Sequence, residues 1–343
     1  MAAFTDFATP SIISIDINIL PVIIYRDFMG EIGSNPSMAS TGSIVMVLIS
    51  TFLLAAQRVY LATLTFASLA GRRARPRTPS PAMRWTILVA LWGTLFVAFV
   101  PHLTVLFTSF LEWRSGIVTA VATLANYRKL FQLHFATIEV SLFLAITATL
   151  LDVVLGMGIA YVIVRKRYAV LSQLLNAVVM MPYIIPGTVL GIGLVVIFNE
   201  PPLFITGTAT ILILSYFVRN LPFAVKASES VLYQIHPALE EAAVSLGARP
   251  SRTFLIVTAP LMAGGIVTGA TLAFLNSMTD LSSTIVLYRP PWKPMTAAIF
   301  ENTIDANADF GIAAAMTAIL LPVLYLPLYF VTTRIRGVFG AAG

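Results

Sequence analysis

The chain has 343 residues, 58% of them hydrophobic and only 10% charged, with a mean hydropathy of +0.90 and a net charge of +6. That is more apolar surface than one water-soluble core can hide, so the chain belongs in a lipid bilayer. The lack of cysteine excludes disulfide frameworks, thiolate zinc sites and cysteine nucleophiles; His102, His134 and His236 stand too far apart to pair as metal ligands at helical spacing.

In chain order, the amino-terminal stretch has no basic region and carries Asp6, Asp16 and Asp27, so no cleavable signal peptide is expected. Crossing hydrocarbon takes about 20 apolar residues in a helix. Seven stretches qualify or nearly so, at 42–65, 84–110, 136–164, 171–198, 205–222, 256–279 and 310–333. Basic residues accumulate on the cytoplasmic side of such spans. One set of alternate connections holds Arg72, Arg73, Arg75, Arg77, Arg84, Arg165, Lys166, Arg167, Lys226, Arg249, Arg252, Arg334 and Arg336. The opposite set holds Arg26, Arg114, Arg128, Lys129, Arg289 and Lys293. The excess predicts a cytoplasmic 223–257 segment and carboxyl terminus, with the amino terminus outside. Because the cations fall in short clusters between apolar runs and not along one polar face, they read as membrane orientation, and no nucleic-acid partner is expected.

The Pro- and Arg-rich stretch from Gly71 to Arg84 reads as a solvated linker. It separates one span, preceded by an amphipathic run, from six spans with short outer loops. The two ends of the chain are organised alike. Ile24-Tyr25 lies 275 positions before Ile299-Phe300, and Met38-Ala39-Ser40 lies 274 before Ile312-Ala313-Ala314, each leading into an apolar span. Internal repeats are common in transporters, although two outer loops feeding two helices would look the same.

The 223–257 segment is patterned for two short helices. Leu232, Ile235 and Leu239 keep a helical rhythm that breaks at Pro237, a residue suited to a first helical position. Glu240 and Glu241 then fall in the opening turns, where carboxylates favour the positive end of the helix dipole. Ala242, Ala243 and Leu246 complete a narrow face of mostly small side chains, Gly247 is placed to stop the helix in a left-handed conformation, and Pro260 enters the next span.

Glu241-Ala242-Ala243, three residues, Gly247, nine residues, Val257, one residue, Ala259-Pro260 resembles the EAA loop of binding-protein-dependent ABC transporter permeases. The spacing is fully kept, with Val and Ala where that pattern has Ile and Leu. The run Met181 to Leu194, with Pro182, Pro186, Gly187 and Gly191, resembles the corresponding span of the ferric-iron, small-anion and phosphonate branch. Thr123 to Arg128 is similar to the short outer segment that precedes the core spans there. The resemblance implies an all-α integral membrane fold, with a complete six-span permease unit at 84–336 and a linker at 71–83. Residues 1–70 are similar to the end of a first permease unit, as though the chain were the rear part of a fused double permease; a split gene, a truncated gene and a misplaced start codon all remain open.

The same resemblance implies a coupling helix within about residues 229–250, carried by Glu240, Glu241, Ala242, Ala243, Gly247 and Pro260 and seated in a groove of a separate ATP-binding cassette ATPase. It further implies an external or periplasmic solute-binding protein, a second permease unit supplied by the same or a companion chain, and a bacterial inner-membrane location. Pro182, Pro186, Gly187 and Gly191 are the candidates for the translocation pathway. Ferric iron is the first expectation for the solute, with phosphonates, thiosulfate or polyamines behind it. No phosphate-binding G-x-x-x-x-G-K-[ST] loop occurs, so the chain is not expected to hydrolyse ATP, and no cofactor, metal or catalytic residue is expected. Asp152 is the deepest ionisable residue of a span, and pairing or exposure to a water-filled pathway is expected of it. The rival readings are an ion-gradient-driven secondary transporter, which has no need of the 223–257 pattern, a membrane-embedded enzyme, and an inactive truncated permease.

Overall fold

A computed structural model describes residues 6–13, 19–30, 35–63, 80–166, 168–304 and 308–339. Most of the linker expected at 71–83 lies outside them. The front end folds as α1 (Ala8–Ile13), α2 (Leu20–Met29) and the long apolar α3 (Pro36–Thr63). Next comes α4 (Pro81–Thr108), started three residues earlier than expected by Ser80, whose hydroxyl accepts from the Met83 amide, with Pro81 in the first turn. None of α4 is buried in the protein, as suits a helix whose sides face lipid.

The segment after α4, expected to be a loop, instead forms an antiparallel hairpin of residues Leu111–Arg114 (β1) and Ile117–Ala122 (β2). Ser115 and Gly116, at φ +49° and +79°, make the two-residue turn, which needs left-handed backbone at both positions. Trp113 stacks on Phe310 at 5.5 Å. The short α5 (Ala125–Leu133) then leads into α6 (Phe135–Tyr161), which ends in a wider-wound π-turn at Val162–Lys166.

The single span expected at 171–198 is in fact two helices, α7 (Ala169–Ile184) and α8 (Gly187–Phe198), bent by 106°. Pro186 lacks the amide that would continue α7, and the residue before it is held extended, so the chain turns there. In α9 (Ala209–Leu232) Pro222 sits inside the helix without ending it, so the span expected to stop at 222 runs ten residues further. After it come α10 (Ala238–Ser245), α11 (Pro250–Thr253), a second π-turn (Phe254–Thr258), α12 (Ala259–Leu261) and α13 (Ala263–Thr279); the α11–α12 run meets α13 at 73°. The chain closes with α14 (Thr284–Leu287), α15 (Met295–Ile304) and α16 (Phe310–Phe339). Among the described residues five helices are long and apolar enough to cross a membrane, or up to seven if each bent pair is one span.

The centre of the bundle is α9 between α6 and α13. Glycines let these backbones approach, as membrane helices require when no hydrophobic force drives them together. A Cβ on Gly156 of α6 would stand 2.8 Å from that of Ala224, and one on Gly269 of α13 would stand 2.9 Å from that of Ala227. The front end packs onto the rest of the chain through a core of Phe7, Ile24, Met46, Ile192, Ile285 and Phe300.

The two ends fold alike. Helices α2 and α15 each have ten residues and are displaced by 275 positions, while α3 and α16 begin 274 apart. Asp6 accepts from the Thr9 amide at 3.3 Å, and Asp280, 274 positions later, accepts from the Ser283 amide at 3.1 Å.

Candidate functional site

Helix α10 is built by its own sequence. Pro237 caps it, and the Ala238 amide donates to His236 Nδ1 at 3.2 Å, so His236 shapes this helix start. The far end closes in a Schellman motif. The Ala248 amide reaches the Ala243 carbonyl at 3.0 Å and the Gly247 amide reaches that of Val244 at 2.9 Å, with Gly247 at φ +89°. No atom lies within 4 Å of where a Cβ on Gly247 would stand, so the glycine answers to backbone conformation and not to crowding.

The two acidic residues of α10 face opposite ways. Glu240 turns inward, accepting from Arg165 Nε at 2.8 Å and from the Tyr161 hydroxyl at 3.2 Å. Arg165 also donates to the Ile235 carbonyl at 2.8 Å. Glu241, Ala242, Val244 and Leu246 are exposed, Leu246 at 90%, and Ala243 is half-buried. Pro260 lies beyond the second π-turn, exposed, and apart from this face. Arg165 and Tyr161 were not legible as partners of α10, because about 75 residues separate them from it; the basic cluster at 165–167 was the nearest signal.

A second polar cluster lies where α9 meets the α13–α14 junction. Arg219 donates to Asp280 at 2.5 Å, and Asp280 also accepts from the Ser283 amide and hydroxyl. Ser215 donates to Ser283, Tyr216 pairs with Thr284, and Asn220 donates to Ser277, all at 2.7–2.9 Å. The elbow between α7 and α8 rests on this cluster. Gly187 is buried where any Cβ would collide with the Arg219 guanidinium and Ser282, and Gly191 lies against Val286 and the Ser283 carbonyl. Pro186 is buried at the elbow and Pro182 is half-buried inside α7. Gly187 and Gly191 are thus packing contacts beside the bend at Pro186, and Pro182 lies one turn before it.

Asp152 differs from expectation. It is wholly buried in α6, and among the described residues neither carboxyl oxygen has a hydrogen-bond partner, so no pairing within the described chain accounts for it. A cavity of about 500 Å³ opens between α1, α2 and α15, lined by Phe7, Tyr25, Arg26, Met29, Phe300 and Thr303 among others. Among the described residues no group of three His, Asp or Glu side chains could hold a metal ion. At the hairpin end of the bundle, Lys129 donates to Asp309 at 2.8 Å, and Asp309 caps α16 through the Gly311 and Ile312 amides. Burial alone would raise the Asp309 carboxyl, but these bonds and the Lys129 charge outweigh it and hold the pKa below its ordinary value.

The chain is 26% identical over 332 residues to a ferric transport system permease protein, FbpB, of Actinobacillus pleuropneumoniae, covering 94% of this chain and 47% of that protein. The chain thus spans about half the length of the first curated relatives it matches. It is 30% identical over 238 residues to a putative 2-aminoethylphosphonate transport system permease protein, PhnV, of Salmonella paratyphi A, covering 68% of this chain and 88% of that one. Among solved structures it shares its fold with a chain of a bacterial alginate ABC transporter in complex with an alginate-bound periplasmic protein, at TM-score 0.58 and 17% identity over 75% of this chain and 96% of that chain. The model of the binding-protein-dependent transport system inner membrane component matches residues 152–339, more than half of the chain and all of the α9–α10 region, and the chain belongs to that family of membrane-embedded permeases.

Proposed function

We propose that the chain is the transmembrane permease subunit of an ATP-driven, binding-protein-dependent importer, and that α10 is the coupling helix on which a separate ATP-binding cassette ATPase acts. The construction of α10 carries this reading: Glu240 ties its inner side to the end of α6, while Glu241, Val244 and Leu246 are turned out. An apolar side chain as exposed as Leu246, held at a fixed helix end, suits a protein interface better than a surface loop.

In this reading α10 and the carboxyl terminus lie in the cytoplasm, as the distribution of basic residues favours, and an external solute-binding protein delivers its ligand from the opposite side. The elbow at Pro182 to Gly191, resting on Arg219 and Asp280, borders the pathway, which alternates between outward-open and inward-open states. Ferric iron is the first choice of solute and a phosphonate the second, which the relatives' names support. The chemistry of hydrolysis belongs to the ATPase. Residues 1–70 stand as the end of a first permease unit, 71–83 as a linker and 84–336 as a complete unit; the matched α2/α15 and α3/α16 pairs support that division. The rest of the pore comes from a second permease unit.

Co-purification tests this. Expressed with a candidate ATP-binding cassette ATPase, the chain is expected to retain that subunit through purification. Gly247→Trp and Glu241→Lys should each abolish retention and solute uptake together; retention and uptake both intact in these variants would overturn the assignment.

A further inference from the structure

Two places in the described chain wind wider than an α-helix, and both flank α10: the π-turn Val162–Lys166 ending α6, and the π-turn Phe254–Thr258 leading toward α13. In the second, the Ala259 amide reaches back five residues to the Phe254 carbonyl. Such turns inside otherwise regular helices are uncommon and frequently mark functional hinges. These two touch. The Tyr161 ring, immediately before the first, meets the Phe254 ring, which opens the second, edge to face at 4.9 Å.

The same tyrosine is bonded to α10. Its hydroxyl donates to one carboxyl oxygen of Glu240, and Arg165, within the first π-turn, donates to the other. The Arg165 guanidinium then holds the Ile235 carbonyl just before α10 begins. With side-chain exposures of 10% and 14%, Arg165 and Glu240 are largely withdrawn from water, so their bond is far less screened than a surface pair. Besides these bonds, α10 lies against the second π-turn and α11, and the chain joins it to the spans through residues 233–237 and 246–249.

We infer that Tyr161, Arg165, Glu240 and Phe254 form a clamp that fixes α10 to both π-turns at once, so that a displacement of α10 is delivered to α6 and α13 together. The four are positioning residues: they act through α10 and touch neither nucleotide nor solute. The clamp rests on the proposed role of α10 for its purpose, but its geometry is testable in this chain alone. Without it, α10 would keep its contacts with the second π-turn and could tilt independently of α6. With it, the wider-wound turns supply the give, and the shared tyrosine makes them bend as one.

The natural absence of cysteine allows clean spin labelling of the full chain in nanodiscs at Leu246→Cys and Val170→Cys, both highly exposed and on α10's end and α7 respectively. Double electron–electron resonance is expected to give one narrow distance distribution. Glu240→Gln should broaden it at least two-fold, Tyr161→Ala should do the same, and Tyr161→Phe, which keeps the ring contact, should broaden it less. Arg165→Lys, which keeps the charge but replaces the planar fork on Glu240 and the Ile235 carbonyl with a single ammonium, should fall between wild type and Glu240→Gln, and it remains informative if the harsher variants fail to fold. Distributions for Glu240→Gln or Arg165→Lys as narrow as wild type would overturn the clamp. Cross-linking of Leu246→Cys to the ATPase reads the role of α10 separately: cross-linking with unchanged distributions removes the clamp and keeps the coupling helix, while broadened distributions without cross-linking do the reverse.

Discussion

Consider alanine at Gly269. Its Cβ would stand 2.9 Å from the Ala227 Cβ and 3.0 Å from both the Ala224 Cα and the Phe223 carbonyl oxygen. Carbon atoms rest about 3.5 Å apart at closest comfort, so α9 and α13 must part by roughly 0.5 Å. Two of the three atoms met are backbone, which cannot rotate aside. Overpacking of this kind costs about 1–3 kcal/mol, while alanine gains about 0.8–1 kcal/mol over glycine in helix propensity. With a cost near the middle of its range, Gly269→Ala should lose about 1 kcal/mol. Gly158→Ala is the matched control, since no atom lies within 4 Å of its Cβ. It should gain up to about 1 kcal/mol. The two variants should therefore differ by about 2 kcal/mol, roughly 30-fold in the unfolding constant. Reversible unfolding of the purified chain in mixed micelles at rising dodecyl sulfate would measure this. If Gly269→Ala proves at least as stable as Gly158→Ala, α9 and α13 do not meet as described.

Three more outcomes are expected. Gly247→Ala meets no neighbour but forces a side chain into left-handed backbone, at about 1–2 kcal/mol; hydrogen exchange at the Ala248 amide should quicken roughly ten-fold, and unchanged exchange would refute the Schellman end. Arg219→Ala leaves Asp280, whose side chain is 6% exposed, without its cation; a loss of about 3 kcal/mol is expected, and a loss below about 1 kcal/mol in the same unfolding assay would show the pair to be dispensable. Asp309 has a folded pKa below its ordinary 3.8, so its stabilisation is complete above that value and is lost as pH falls through the lower folded value. Asp309→Asn keeps the cap on α16 and removes the charge facing Lys129. Its deficit relative to wild type should be below about 1 kcal/mol at pH 7, since the pair is partly exposed, and should shrink as pH falls through the lowered folded value; a deficit that grows toward acid would contradict the assigned bond.

Much of this architecture was legible because its causes are local. Gly247 and Pro237 bracket α10 for reasons of backbone conformation that a neighbourless residue obeys, and apolar length alone located the spans. The repeat was visible as Ile24-Tyr25 against Ile299-Phe300, and its folded counterparts α2 and α15 share both length and offset. What escaped depends on neighbours. Pro186 ends its helix and Pro222 does not, although each removes a donor: Pro222 is buried within α9, which packs between α6 and α13, whereas the elbow after Ile184 lets Gly187 settle against Arg219. The hairpin is hard to read because its strands have only four and six residues, so they carry little periodic signal beside the long spans. The Arg165–Glu240 and Arg219–Asp280 pairs join residues more than 60 positions apart, and nothing in local spacing announces them.

If α10 hands the motion of an ATPase to the membrane spans, a single cysteine in place of Leu246, the most exposed apolar residue of that helix end, should report it. In membranes containing the whole transporter, it should react with a membrane-impermeant thiol reagent only from the cytoplasmic side and cross-link to the ATP-binding subunit. It should lose that reagent accessibility when the ATPase is bound. Labelling from the outer side, or a failure to cross-link to any nucleotide-hydrolysing subunit that co-purifies, would contradict the account.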